Sequence, residues 1–343
     1  MTGFKALKID NGVEMKSLPA SSINNILAVL PENIRRLIEN IPETQIDRME
    51  ELRLRHNLPL IIVLDGKDYF VSRNGKITLS QEQIYTVSSS DMQRVIQLIS
   101  GSSIYALEEE LRNGYITIAG GHRVGICGRV VTEKGKVRTM KHISSINIRI
   151  SREVLGAASK ILPYVVDQYT GLVNHIMLVS PPRCGKTTIL RDLIRQLSEG
   201  IPSLNFPGVT VGVVDERSEI AGCYYGIPQK DLGIRTDVLD ACPKAEGMMM
   251  LLRAMSPQVI ATDEIGRMED VQALEEVINA GVKVITTVHG SSLAELIQRP
   301  ALKYLINLKT IDRFIILGRS RGVGTIEDIV DGPTLKSMGV RNC

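Results

Sequence analysis

Residues Ser180-Pro181-Pro182-Arg183-Cys184-Gly185-Lys186-Thr187-Thr188 join a short loop to a lysine and two hydroxyls, in the order that grips a polyphosphate. An apolar run from His175 to Val179 precedes them and reads as a strand. Ile189, Leu190, Leu193, Ile194 and Leu197 follow at helical spacing. Strand, loop and helix in that order is the context a Walker A pattern needs. Backbone N–H groups of such a loop, backed by a helix N-terminus, attract phosphate oxygens. Lys186 is expected to reach the β- and γ-phosphates, and the Thr187 hydroxyl to ligate Mg²⁺. Ser180 stands where the pattern has its leading glycine. The stretch therefore predicts a bound nucleoside triphosphate, with Ser180 to Thr188 forming the loop. Cys184 is either a reactive thiol or a residue buried beside the ligand.

Three further apolar runs end in groups that do chemistry. Val259-Ile260-Ala261-Thr262-Asp263-Glu264 has the form of a Walker B strand. Asp263 would hold Mg²⁺ and Glu264 would orient or deprotonate the attacking water. The alternative is that the two acids cap the following helix. Val213 to Glu219 ends in Asp215, Glu216, Arg217 and Glu219. The C-terminal edge of an open α/β sheet is where ligands sit, although a salt-linked loop has the same composition. Val284-Ile285-Thr286-Thr287-Val288-His289 ends in a histidine that can donate to a γ-phosphate or serve only as a packing residue.

These side chains need a sheet whose strands all end on one edge. From about residue 151 the pattern alternates strand and helix, with strands expected at 175–179, 209–214, 258–262, 282–288 and 313–317. The N-terminal half reads instead as blocks of helix and strand. A helical stretch over 22–41 is divided by Pro31, with Ser22 as its N-cap, and a second helix runs from Ser90 to Ser100, capped by Ser90. Asp65-Gly66 marks a hairpin between Leu58–Leu64 and Tyr69–Val71. Short β-rich runs follow at Tyr115–Ala119, Val124–Val131, Lys136–Lys141 and Ile146–Ile150. The expected organisation is an α+β N-terminal domain over 1–152 and an α/β domain over 153–343.

Composition narrows the partners. The net charge of +3 is too mild to make nucleic acid the default, and tryptophan is absent. Positive charge gathers between Arg112 and Arg152, where nine Lys/Arg face only Glu133. That region is a solvated surface, a source of arginines for a neighbouring subunit's phosphates, or a face for acidic lipid or a protein ring. Cys127, Cys184, Cys223, Cys242 and Cys343 form no C-x-x-C pair, so neither zinc nor a disulfide framework is expected. Met1 to Ala20 lacks the features of a secretory signal, and no apolar run nears the ~18 residues of a membrane span.

The four elements in this order resemble the secretion ATPases of type II and type IV systems, including the pilus motors. That family follows its Walker A with an acidic Asp box, here Asp215 to Glu219, then a Walker B, then a His box, here Thr286 to His289. Leu251 to Ile265 is similar to its segment entering Walker B. A sporulation branch of the family, from endospore formers, is similar in further stretches: Glu51–Arg55, Gly120–Gly125, Ser180–Pro182, Val214–Ile220, Leu317–Arg319 and Gly324–Glu327. The resemblance implies a RecA-like P-loop ATPase domain, with a parallel-rich sheet flanked by helices, behind a smaller α+β domain. It implies ATP and Mg²⁺ as cofactors, a homo-hexamer, and Lys186, Glu216, Glu264 and His289 as catalytic residues. It implies a cytoplasmic protein of the mother cell, peripherally joined to membrane-protein components of a sporulation channel, with no nucleic acid. Arg217, Arg123, Arg129, Arg138 and Arg149 are then candidates to complete a neighbour's site. Two departures stand out: the chain lacks the family's cysteine-rich zinc insertion, and Asp263-Glu264-Ile265-Gly266-Arg267 displaces the usual arginine by one position. An ATP-binding scaffold with little turnover, or a RecA-like nucleic-acid motor, are the competing functions.

Overall fold

The computed structural model describes residues 6–9, 13–16, 20–101 and 108–339; Cys343 lies outside them. Two compact units divide the chain. One runs from Lys16 to Arg152, and the other takes Leu7–Met15 together with Glu153 onward.

In chain order, β1 (Ala6–Ile9) and β2 (Val13–Lys16) are followed by α1 (Ala20–Ala28), α2 (Glu32–Glu39) and α3 (Glu43–Ile46). Then come β3 (Met49–Arg55), β4 (Ile61–Leu64), β5 (Lys67–Val71), β6 (Ile77–Thr78), α4 (Ser89–Ile99) and α5 (Glu108–Asn113). The unit closes with β7 (Tyr115–Ile118), β8 (His122–Glu133) and β9 (Lys136–Arg149). Its seven-stranded sheet has the order β6-β5-β4-β3-β9-β8-β7, antiparallel throughout. Alternation along β3 buries Met49, Leu52 and Leu54 against Ile26, Leu30, Ile34 and Ile38 of the first two helices and the turn between them.

Several local expectations shift here. Ser22 lies inside α1 and not at its cap, and its hydroxyl is 3.0 Å from the buried His122 ring. Ser88, not Ser90, caps α4, because Asp91 reciprocates in a capping box. The two runs expected at Lys136–Lys141 and Ile146–Ile150 belong to one strand, which pairs with β8 on both sides of an irregularity between Lys141 and Ser145. In the basic region Arg123 lies over the Tyr115 ring, while Arg138 and Arg149 pair with Glu133 and Glu51.

The second unit contains β10 (Val154–Leu155), α6 (Leu162–Val165), β11 (Ile176–Ser180), α7 (Lys186–Glu199), β12 (Val211–Asp215) and β13 (Thr236–Asp240). It continues with α8 (Lys244–Ala254), β14 (Val259–Thr262), α9 (Met268–Asn279), β15 (Lys283–His289), α10 (Leu293–Leu296) and α11 (Pro300–Asn307). The last strands are β16 (Arg313–Gly318), β17 (Thr325–Asp331) and β18 (Lys336–Ser337). The sheet order is β13-β12-β14-β15-β11-β16-β17-β18. From β13 to β16 every pair is parallel; β17 and β18 add on antiparallel.

Parallel strands are covered on both faces, so their sequences are continuous apolar runs. Ile176, Leu178, Val211, Val213 and Ile285 pack on the face that receives Leu190, Leu193 and Leu197 of α7. Met177, Val179, Val214, Ile260 and Val284 point the other way, onto Met248 of α8 and Val271 and Leu274 of α9. Two buried cores thus clamp the sheet and leave its C-terminal edge to the loops.

Candidate active site

The register of the parallel strands brings the four chemical runs together. Ser180 lies opposite His289, Thr262 opposite Thr286, and Val214 opposite Thr262. The ends of β11, β15, β14 and β12 therefore sit side by side on one edge.

Lys186 is the first residue of α7, and Gly185 before it has φ +83°. A Cβ there would meet Val323 Cγ1 at 3.3 Å, so glycine serves both the left-handed turn and the close approach. The Lys186 ammonium is buried and donates to Ser180 O at 3.0 Å, Ser180 Oγ at 3.2 Å and Pro181 O at 3.3 Å. Serine in place of glycine at 180 thus adds an acceptor for this lysine. Pro182 and Arg183 are exposed, Pro181, Thr187 and Thr188 are half-buried, and Cys184 is buried with its thiol toward Pro182 O. Arg319 donates to the Arg183 carbonyl and steadies the outer turn of the loop.

Lys186 also donates to His289 Nδ1 at 2.9 Å. That contact makes Nδ1 the acceptor, so the ring proton is on Nε2, which donates to Glu264 Oε1 at 2.6 Å. Glu264 Oε2 is 3.4 Å from Arg217 Nη1. Burial pulls the Lys186 pKa below the ordinary lysine value, with Glu264 acting against that shift. Glu264 has φ +41°. A non-glycine residue there carries strain of about 1–3 kcal/mol. Thr287 holds it in place: its hydroxyl accepts from Glu264 N at 2.9 Å and its carbonyl from Ile265 N at 2.9 Å.

Asp215 and Asp263 sit on adjacent strand ends yet have different environments. Asp215 is fully buried and accepts from the backbone N–H groups of Glu219, Ile220 and Ala221 at 2.8–3.0 Å. It organises the loop and has little left to offer a ligand. Asp263 is 3 % exposed, and its Oδ1 accepts no hydrogen bond. Burial pushes its pKa up to about 6; Lys244 opposes the shift, while Asp215, Glu219 and Glu264 add to it. A buried carboxylate oxygen without a donor fits a cation. Among the described residues no group of three His, Cys, Asp or Glu side chains forms a metal cluster. Mg²⁺ binds through one or two carboxylates plus waters and phosphate. Thr187, on the first turn of α7, and Asp263 are the residues that would hold it.

Two positioning residues escaped the sequence reading. Lys244, at the start of α8, is 6 % exposed, forms an ion pair with Glu216 and lies 3.6 Å from Asp263 Oδ1. Arg191 of α7 donates to Ile220 O at 2.6 Å and Glu219 O at 2.7 Å, tying the phosphate-loop helix to the Asp box. Nothing local marks either residue: both are cations on amphipathic helices, a placement usually solvated. Arg267, by contrast, is exposed at the start of α9.

Against known families, residues 20–335 match the model for sporulation stage III, protein AA. The chain belongs to that family. It is 46% identical over 324 residues to stage III sporulation protein AA of Bacillus subtilis (strain 168), covering 94% of this chain and 100% of the relative. Among solved structures it is similar to the ATPase DotB of Legionella pneumophila, with a TM-score of 0.54 at 18% identity, covering 83% of this chain and 76% of DotB. It is also similar to the pilus retraction motor PilT with bound ADP, with a TM-score of 0.50 at 15% identity, covering 80% and 75%. At these identities the likeness is one of fold alone, a mixed α/β fold shared with DotB and PilT. No helix among the described residues is long and apolar enough to cross a membrane.

Proposed function

We propose that the chain is a Mg²⁺-dependent ATP hydrolase of the secretion-ATPase type, with a RecA-like motor domain over 153–343. On this reading it works as a homo-hexamer in the mother cell, where it powers or assembles a channel across the envelope to the forespore. The observation that carries the proposal is the line Lys186–His289–Glu264, joined by contacts of 2.9 and 2.6 Å between the start of α7 and the ends of β15 and β14. A packing role for His289 would not require a lysine on one ring nitrogen and a carboxylate on the other.

In the mechanism this geometry supports, Ser180 to Thr188 wrap the phosphates with backbone N–H groups. Lys186 exchanges its carbonyl partners for phosphate oxygens. Thr187 and Asp263 would hold Mg²⁺, which would neutralise charge on those oxygens. Glu264 Oε1 is held by His289, and Oε2, whose contact with Arg217 is longer at 3.4 Å, takes the proton of a water attacking the γ-phosphorus. Glu216 acts indirectly, through Lys244. When the γ-phosphate leaves, Lys186 returns to His289, so the histidine registers which nucleotide is present. Such sensing drives movement only where ATP and ADP prefer different arrangements.

Replacing Glu264 by Gln tests the assignment in the purified full-length chain. Binding of a fluorescent ATP analogue is expected to persist while phosphate release drops by 100-fold or more, within the range that general-base catalysis supplies. Undiminished phosphate release in that variant would remove Glu264 from the mechanism.

A further inference from the structure

Lys244 has the geometry of a part, not of a surface charge. It opens α8 immediately after Pro243, and its ammonium is buried between β12 and β14. On one side is Glu216, one residue past the end of β12; on the other, at 3.6 Å, is Asp263, one residue past the end of β14. Burying an ammonium is costly, and a carboxylate partner on only one side leaves part of that cost standing. Asp263 Oδ1, the oxygen nearest Lys244, has no hydrogen-bond donor at all. The lysine stands off it at ion-pair range while closing directly on Glu216. It thus balances the charge of Asp263 without filling its coordination space.

We propose that Lys244 is a positioning residue for the cation site, resting on the reading of Asp263 as a Mg²⁺ ligand. Its ammonium ties the acidic ends of β12 and β14 together and keeps Asp263 aimed at the nucleotide. Glu216 anchors the lysine. The arrangement corresponds to the outer-shell partners that orient metal-ligating groups elsewhere, whose loss costs about 10–100-fold in metal affinity. Lys244→Arg retains the charge, whereas Lys244→Met retains only the length.

Two experiments on the full-length protein separate this proposal from the proposed function. The first is a double-mutant cycle of Lys244→Met and Asp263→Asn, read by urea unfolding without nucleotide or metal. Lys244→Met alone is expected to destabilise the chain, and much less so in the Asp263→Asn background. Additive effects would overturn the tie whether or not the chain hydrolyses ATP. The second is binding of a fluorescent ATP analogue with Mg²⁺ or with EDTA. Lys244→Met is expected to bind like wild type in EDTA and to lose about tenfold or more of the Mg²⁺-dependent gain. Lys244→Arg is expected to recover most of it. A folded Lys244→Met protein with the full Mg²⁺-dependent gain overturns the positioning role. A wild-type chain with no Mg²⁺-dependent gain overturns that role and the Mg²⁺ assignment together, leaving only the result of the first cycle.

Discussion

Replacing Asp263 by Asn should make the protein more stable while disabling its site. In the folded chain burial pushes the Asp263 pKa up from an ordinary 3.8 to about 6, against the opposing pull of Lys244. Burial causes most of that shift, and the acids at Asp215, Glu219 and Glu264 reinforce it. A carboxyl group whose folded pKa is raised binds its proton more tightly in the native state than in the unfolded one. Stability therefore falls as pH rises from about 4 to about 6, and the cost is fully present above that window. Two pKa units correspond to about 3 kcal/mol. Asparagine removes the charge and hence the cost, less whatever its amide loses by lacking a partner beside Oδ1. The expected gain at pH 7.5 is about 1–3 kcal/mol, worth roughly 2–4 °C of Tm per kcal/mol for a unit of this size. The assay is thermal unfolding of wild type and Asp263→Asn from pH 4 to pH 8, without Mg²⁺ or nucleotide. The two curves should converge near pH 4 and separate as pH rises through 6. A variant that is less stable at pH 7.5, or differs by the same amount at every pH, refutes the argument. Adding Mg²⁺ and ATP should raise the Tm of wild type by more than that of the variant, which lacks the Mg²⁺-dependent part of the gain.

Other outcomes follow from single positions. Gly185→Ala places a side chain at φ +83° and 3.3 Å from Val323; a loss of about 1–2 kcal/mol in urea unfolding is expected, and an unchanged midpoint contradicts the strained-loop account. Ser180→Gly deletes one acceptor for Lys186 but leaves the two carbonyls. It should therefore bind nucleotide within about threefold of wild type, a loss of at most one neutral hydrogen bond; a collapse of binding would mean the hydroxyl is indispensable. Cys127 is exposed, whereas Cys223 is buried with its thiol pushed up to about 12. Peptide mapping after brief iodoacetamide treatment at pH 8 should find Cys127 modified and Cys223 untouched; early modification of Cys223 would contradict its burial.

How much of this was legible before folding depends on how local each signal is. The phosphate loop needed only a strand, a turn and an amphipathic helix within about two dozen consecutive residues. Apolar strands ending in Asp263-Glu264 and in His289 could be read because a strand buried on both faces has a distinctive composition. Cap positions were less secure: Ser88 and Ser90 are equally good cap acceptors, and only Asp91's reciprocal bond favours the former. Buried polar partners left no local trace. Lys244 looks like any lysine opening a helix, and Arg191 like any arginine on a helix surface, until the loops they meet are in place.

The sequence by itself determined which groups can do chemistry, and that each stands at the end of an apolar run: Lys186 with Thr187, Glu216, Asp263 with Glu264, and His289. Tertiary structure decided which of them meet. Parallel strands are joined by crossovers, so residues 103 apart, such as Lys186 and His289, are brought to 2.9 Å by sheet order and register alone. Had β15 paired elsewhere, the same residues would be scattered along the edge. Burial decided the rest: it left Asp215 satisfied by three backbone N–H groups and Asp263 with a bare oxygen, though both are aspartates ending apolar strands.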